Sequence, residues 1–274
     1  MNIQISGASE QPESFLVREA LSEYPFYRFT CKGDSFSPMD KVTLTADERS
    51  FEGTLSGMDV SVDATGNFLY NVGAVDAACP AFDEVHPASF RDTPIKNILA
   101  YYGFVLDGDE LAAEMSLMNM AYSDDDIVIA LANMGAVPAF IDFSNLKVLF
   151  LNRLYRQDPV EVAAGFQAAY SRPVSVGFTL SDTGTTLYGG NIAPDAVIEG
   201  GRPIAQSAGT MRNLVKNYND LAKLWSRKQM FSVTDQDIPV GSMVVSALTE
   251  DKRLIVAKEA VYTVRGARFT YWVV

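Results

Sequence analysis

Two long apolar-rich runs close the sequence, and they constrain the fold more than any other feature. Arg253–Val264 and Arg268–Val274 read as strands joined by a tight turn at Gly266. A chain that spends its last residues on a paired strand uses its terminus as structure. Two shorter strands, Met230–Val233 and Pro239–Val245, come before them. Ahead of those, Met211, Leu214, Val215, Tyr218, Leu221, Ala222 and Trp225 recur at steps of three and four, which places them on one face of a helix over 209–226. Arg212, Asn213, Lys216, Asn217, Asp220 and Lys223 fall on the other face. Gly209–Val274 therefore reads as half of a small barrel with a helix packed on it. The apolar face at Met211, Leu214, Tyr218 and Trp225 is assigned to internal packing, with subunit contact as the alternative.

The first seventy-five residues carry the same period-two texture. Ile3 and Ile5 alternate with polar residues, and a polar, acidic stretch then leads to Pro25–Cys31. Val42 and Leu44 alternate with threonines, Phe51–Val62 follows, and a turn at Ala64–Asn67 leads into Phe68–Val75. Antiparallel strands at this density predict a small sheet that curls and closes, which removes its edges. The expected first barrel spans 1–88.

After Pro80 the texture changes. Thr93 and Pro94 predict a helix start, with Thr93 as cap and Pro94 at the first helical position. Ile95, Ile98, Leu99 and Tyr102 share its buried face, and Gly103 ends it. A second helix is predicted from Ser123. Asp124, Asp125 and Asp126 fill its first turn, where the dipole favours negative charge, and Ile127, Ala130, Leu131 and Met134 form its inner face. Ala136–Asp142 and Asn145–Leu151 read as a strand pair. These elements make a small α/β insert over 89–160. From Pro173 the β pattern resumes, with Val174–Leu180 and Thr186–Ile192 flanking a turn at Asp182–Gly184. A second barrel with its packed helix is thus expected over 161–274. No sequence repeat relates the two barrels.

Chemistry leaves little trace. The single histidine, His86, follows Asp83-Glu84 and precedes Pro87; any Ser-His-Asp site would have to use it, and no Gly-x-Ser-x-Gly elbow supplies a nucleophile. Asp107-Gly-Asp-Glu110 has the look of a calcium loop, but Leu111 stands where the next ligand belongs, so it reads as a solvated acidic turn. No phosphate loop or dinucleotide fingerprint occurs. Paired carboxylates for glycoside cleavage stay open, because their separation is a three-dimensional quantity. No catalytic residue, cofactor site or metal site is assigned. Cys31 and Cys79 form neither a metal spacing nor a disulfide framework and read as reduced thiols. The N-terminus shows no basic region followed by an apolar core, and no apolar run reaches a membrane span. A net charge of −12 disfavours specific nucleic-acid binding, which needs Lys and Arg to neutralise phosphates.

Four stretches, taken in order, carry a family resemblance: Phe51–Gly57 with Phe68–Val75; Phe90–Gly103; Ser123–Gly135; and Pro239–Val245 with Leu254–Ala257 and the closing hairpin. Their succession resembles the central hub of contractile bacteriophage tails, and it is similar to the hub part of the type VI secretion spike. The resemblance covers most of the chain. It implies a mainly β (α+β) fold of two small antiparallel β-barrels joined by a small α/β insert. It also implies a non-enzymatic homotrimer whose two like barrels per subunit present six similar faces. Such a ring would adapt a hexameric tail tube above to a three-fold spike below and would enclose the DNA channel, where an acidic lumen lets DNA slide. The implied location is the virion's tail baseplate, assembled in the host bacterial cytoplasm, without membrane insertion. The rivals are a tail-associated peptidoglycan hydrolase and a glycan-binding β module.

Overall fold

The computed structural model describes the chain except residues 9, 33–35, 38, 78–89, 109–116, 121–124, 169–174, 180–185, 190–196, 200–207 and 235. The N-terminal part is β1 (Ile3–Ile5), β2 (Ser14–Ala20), β3 (Phe26–Lys32), β4 (Lys41–Ala46), β5 (Arg49–Val62) and β6 (Phe68–Asp76). The middle part runs β7 (Phe90–Pro94), α1 (Ile95–Tyr101), β8 (Val105–Leu106), β9 (Leu117–Met120), α2 (Asp125–Ala132), β10 (Ala139–Asp142), β11 (Lys147–Phe150) and α3 (Leu151–Leu154). The remainder is β12 (Val160–Val162), β13 (Gln167–Ala168), β14 (Ser175–Thr179), β15 (Thr186–Gly189), β16 (Val197–Glu199), α4 (Ala208–Trp225), β17 (Gln229–Thr234), β18 (Met243–Ser246), β19 (Lys252–Thr263) and β20 (Gly266–Val273).

Alternation sets the main sheet. In β3 the buried residues are Tyr27, Phe29 and Cys31, and in β4 they are Val42, Leu44 and Ala46, every second position. The ladder runs β1-β4-β5-β6-β3-β2-β19-β20-β17-β13, with β18 beside β19 and β12 beside β18, twelve strands in all. The mainly β, antiparallel character expected from the sequence holds. The described strands of both ends of the chain share one continuous sheet, joined where β2 lies antiparallel to β19 in seven registered pairs, from Ala257↔Ala20 to Thr263↔Ser14. They also share one core: Phe15, Tyr27, Leu44 and Val72 pack in the same cluster as Val162, Tyr262, Phe269 and Tyr271. Alternation reports that one face of a strand is buried, but it does not report which strand covers it.

The middle part mixes short helices with short strands. β10 pairs antiparallel with β11, and β11 pairs parallel with β8. Around them Ile95, Ile98, Leu99, Val128, Leu131, Phe143 and Phe150 form a second core cluster. The start of α1 differs from expectation. Pro94 occupies the N-cap, not the first helical position, with no side-chain cap. Thr93 donates its hydroxyl back to the Arg91 carbonyl instead. Gly103 does end the helix: at φ +86 it has the left-handed conformation a helix stop uses.

Helix α4 ties the parts together. Leu214 is buried in the insert's core with Val215 and Tyr218 against it. Leu221, one turn further, joins a third cluster that also receives Leu224 and Trp225. Internal packing thus holds for Leu214, Tyr218 and Trp225; the Met211 side chain lies outside what is described. One residue departs from the amphipathic reading. Asn217, placed by spacing on the polar face, is fully buried.

Candidate functional site

The densest charge chemistry lies on the seam between β2 and β19. Register places Lys258 directly opposite Glu19, and Glu259 opposite Arg18, so opposite charges face one another across the ladder. Lys258 is almost wholly buried. Its ammonium donates to Glu19 Oε2 at 2.7 Å and to Asp237 Oδ1 at 2.9 Å. Asp237 also takes the Arg49 guanidinium from β5, and that guanidinium donates to the Tyr262 hydroxyl at 3.0 Å. Burial alone would lower the lysine's pKa, but the facing carboxylates of Glu19 and Asp237 outweigh it and raise the value above the ordinary 10.5. A protonated lysine with two carboxylates on it is a poor nucleophile or base. It is a strong electrostatic clamp.

The segment ahead of β18 is pinned by the same neighbourhood. The Tyr271 hydroxyl donates to the Gln236 carbonyl and accepts from the Ile238 amide, both at 2.8 Å. Burial pushes its pKa up to about 12. Beside the clamp lies a cleft of about 280 Å³, lined by Glu19, Glu23, Asp142, Asn145, Asp237 and Lys258. Among the described residues that line it, the one cation, Lys258, is already bonded to two of those carboxylates.

Of the described residues singled out by sequence, neither Asp107 nor Cys31 lines this cleft. His86, Asp83, Glu84, Cys79, Asp109, Glu110, Leu111 and Asp124 lie outside the described residues. Asp107 is exposed and sits 3.8 Å from the Arg153 guanidinium. Asp125 and Asp126 open α2. Cys31 lies buried on the core face of β3. Among the described residues, no group of three or more His, Cys, Asp or Glu could hold a metal ion. Sequence reasoning missed the clamp because β2 itself was read only as a polar, acidic stretch. The available signal was the match between Arg18-Glu19 and Lys258-Glu259, two adjacent charge pairs in the same basic-then-acidic order, which antiparallel pairing sets in opposition.

No protein-family model matches the sequence, and no curated protein matches it in a sequence search. Solved structures do match. The 43 kDa tail protein of prophage MuSo2 from Shewanella oneidensis superposes with a TM-score of 0.63 at 11% identity, over 99% of this chain and 95% of its own. A tail protein from Neisseria meningitidis gives 0.64 at 9% identity, over 99% and 94%. The chain has the fold of phage tail proteins. A third match is an Escherichia coli component of the type VI secretion system, described as structurally similar to T4 bacteriophage tail proteins; it gives 0.59 at 12% identity, over all of this chain and 76% of its own. Within this tail-protein fold the likeness is one of backbone path, not of residues. The charged seam is therefore argued from this chain alone.

Proposed function

We propose that the chain is a structural baseplate hub of a phage tail. Three copies form a ring that adapts a hexameric tail tube to a three-fold spike and encloses the DNA channel. It works without catalysis, alongside other baseplate proteins, in the virion. The observation that carries this reading is coverage: the fold likeness to the Shewanella tail protein runs over 99% of this chain and 95% of that one. Two features of the chain are consistent with it. The Lys258 clamp holds the sheet together and offers no activated nucleophile. The net charge of −12 would keep a lumen from gripping DNA.

The test is the mass in solution by light scattering coupled to gel filtration. Three chains are expected. A stable monomer at high concentration overturns the hub, and clearing of a peptidoglycan gel by that monomer would replace it with the hydrolase reading.

A further inference from the structure

Cations are scarce in this chain and unevenly spread. The stretches 153–156, 223–228 and 252–253 hold seven of its 22 Lys and Arg, and no Asp or Glu. The fold gathers them. Leu154, Leu224 with Trp225, and Leu254 pack in one core cluster, so the charges beside these anchors fringe one patch. Lys223 and Arg153 have carboxylates there, at 3.5 Å from Asp220 and 3.8 Å from Asp107. Arg156, Arg227, Lys252 and Arg253 meet no carboxylate at ion-pair distance among the described residues, although Asp158 and Asp251 adjoin them in sequence.

The patch is arranged before anything touches it. Arg253 Nε donates to Gln229 Oε1 at 3.0 Å, and the Lys228 ammonium lies 4.8 Å over the Trp225 ring. Tyr155, 44% exposed, stands among them. Burial raises its pKa, while the charges of Arg253 and Arg227 pull it down. The negative C-terminal end of α4 accounts for cations at 227 and 228. It does not account for those that follow α3 and open β19. Cations held without counter-charge, beside an exposed aromatic ring, gain by meeting carboxylates, and side chains already ordered lose little freedom on binding.

We propose that this basic patch docks on an acidic surface of a second copy, and that the contact repeats around the ring. The inference rests on the hub reading for the ring itself. Charge selects the occupant. Each copy carries a net charge of −12, so copies repel one another unless their contact sets opposite charges together. With seven cations gathered here, the rest of the chain is more acidic than the whole. The complement of the patch is therefore that remainder. Patch and acidic surface are different parts of the molecule, so the contact is head-to-tail, the kind that closes as a ring. A nucleic acid is the less favoured occupant, since its phosphates would also face the chain's other carboxylates.

The experiment compares wild type with an Arg156→Glu/Arg227→Glu/Lys252→Glu variant by sedimentation. All three side chains are exposed, so the variant should keep its far-UV spectrum and melting temperature. It should need at least about thirtyfold more protein for half-assembly. Added salt should weaken wild-type trimers more than those of the variant. A control, Arg28→Glu/Lys41→Glu/Arg265→Glu, makes the same change of net charge at exposed positions outside the patch and should cost at most about threefold. Unchanged trimers for the first variant, or equal weakening by both, overturn the patch contact and leave the hub standing. So does wild-type binding of a single-stranded oligonucleotide that the first variant loses while its assembly holds. A wild type that stays monomeric removes the hub first, and this contact with it.

Discussion

Lys258 shows how one residue can hold a seam. Its ammonium is the partner of two carboxylates brought from β2 and from the segment before β18, at 2.7 and 2.9 Å. Removing one member of a buried ion cluster leaves the others desolvated and unmatched. Lys258→Met is therefore expected to lower unfolding free energy by about 3–5 kcal/mol, read from urea midpoints. The dependence on pH has a definite sign. The lysine's pKa is raised in the fold above its ordinary 10.5, so its contribution is complete below about 10.5 and is lost as pH climbs through the folded value. The stability gap between wild type and variant should stay constant from pH 7 to about 10 and close above that. A gap that narrowed between pH 7 and about 10 would contradict the clamp. At this scale the sequence was readable only where residues were apolar. Leu44 and Tyr262 could be placed on a buried face by alternation, whereas Glu19 and Lys258 acquire meaning only once β2 and β19 are in register.

Elements were more legible than their partners. The strands at 26–32, 41–46, 49–62, 68–76 and 252–263 match the runs read from alternation, and α1, α2 and α4 match the helical spacings. β2 escaped because Phe15 and Val17 are its only fully buried side chains, two apolar positions followed by charged ones. Helix α4 was found, but the role of Asn217 was not, since spacing cannot tell a solvated amide from a structural one. Asn217 Nδ2 donates to the carbonyls of Asn133 and Gly135 at 2.8 and 2.9 Å. Asn133 in turn clasps Ala139 at the start of β10 through both its amide atoms. The helix is thus latched to the insert by polar groups inside an apolar layer. Asn217→Leu keeps the branched shape and strands two buried carbonyls, so a loss of about 2–4 kcal/mol is expected with an unchanged denaturant slope. A change below about 0.5 kcal/mol, the usual scale of surface substitutions, would show that the latch contributes nothing.

For the whole molecule, the sheet and the core make the two ends of the chain interdependent. Phe15 stacks on Tyr262 with ring centroids 5.0 Å apart, and Phe51 meets Tyr262 at 5.5 Å, so strands from the first sixty residues and the last fifteen share one aromatic cluster. Cutting the chain at residue 160 would expose the β19-facing edge of β2 and uncover Phe15, Tyr27 and Leu44 together. A 1–160 fragment is therefore expected to show no cooperative thermal transition for its N-terminal strands and to bind a hydrophobic dye. Mixing it with 161–274 should restore a single transition, because the pieces complete one another's core. The outcome bears on the expectation of two barrels. Each half has enough alternating strand to curl, and the physical quantity that decides between two small cores and one larger one is the fraction of apolar surface buried, which rises with the size of the unit. Cooperative unfolding of 1–160 alone would mean that the N-terminal strands close without β19, and that the β2–β19 ladder joins two finished units instead of completing one.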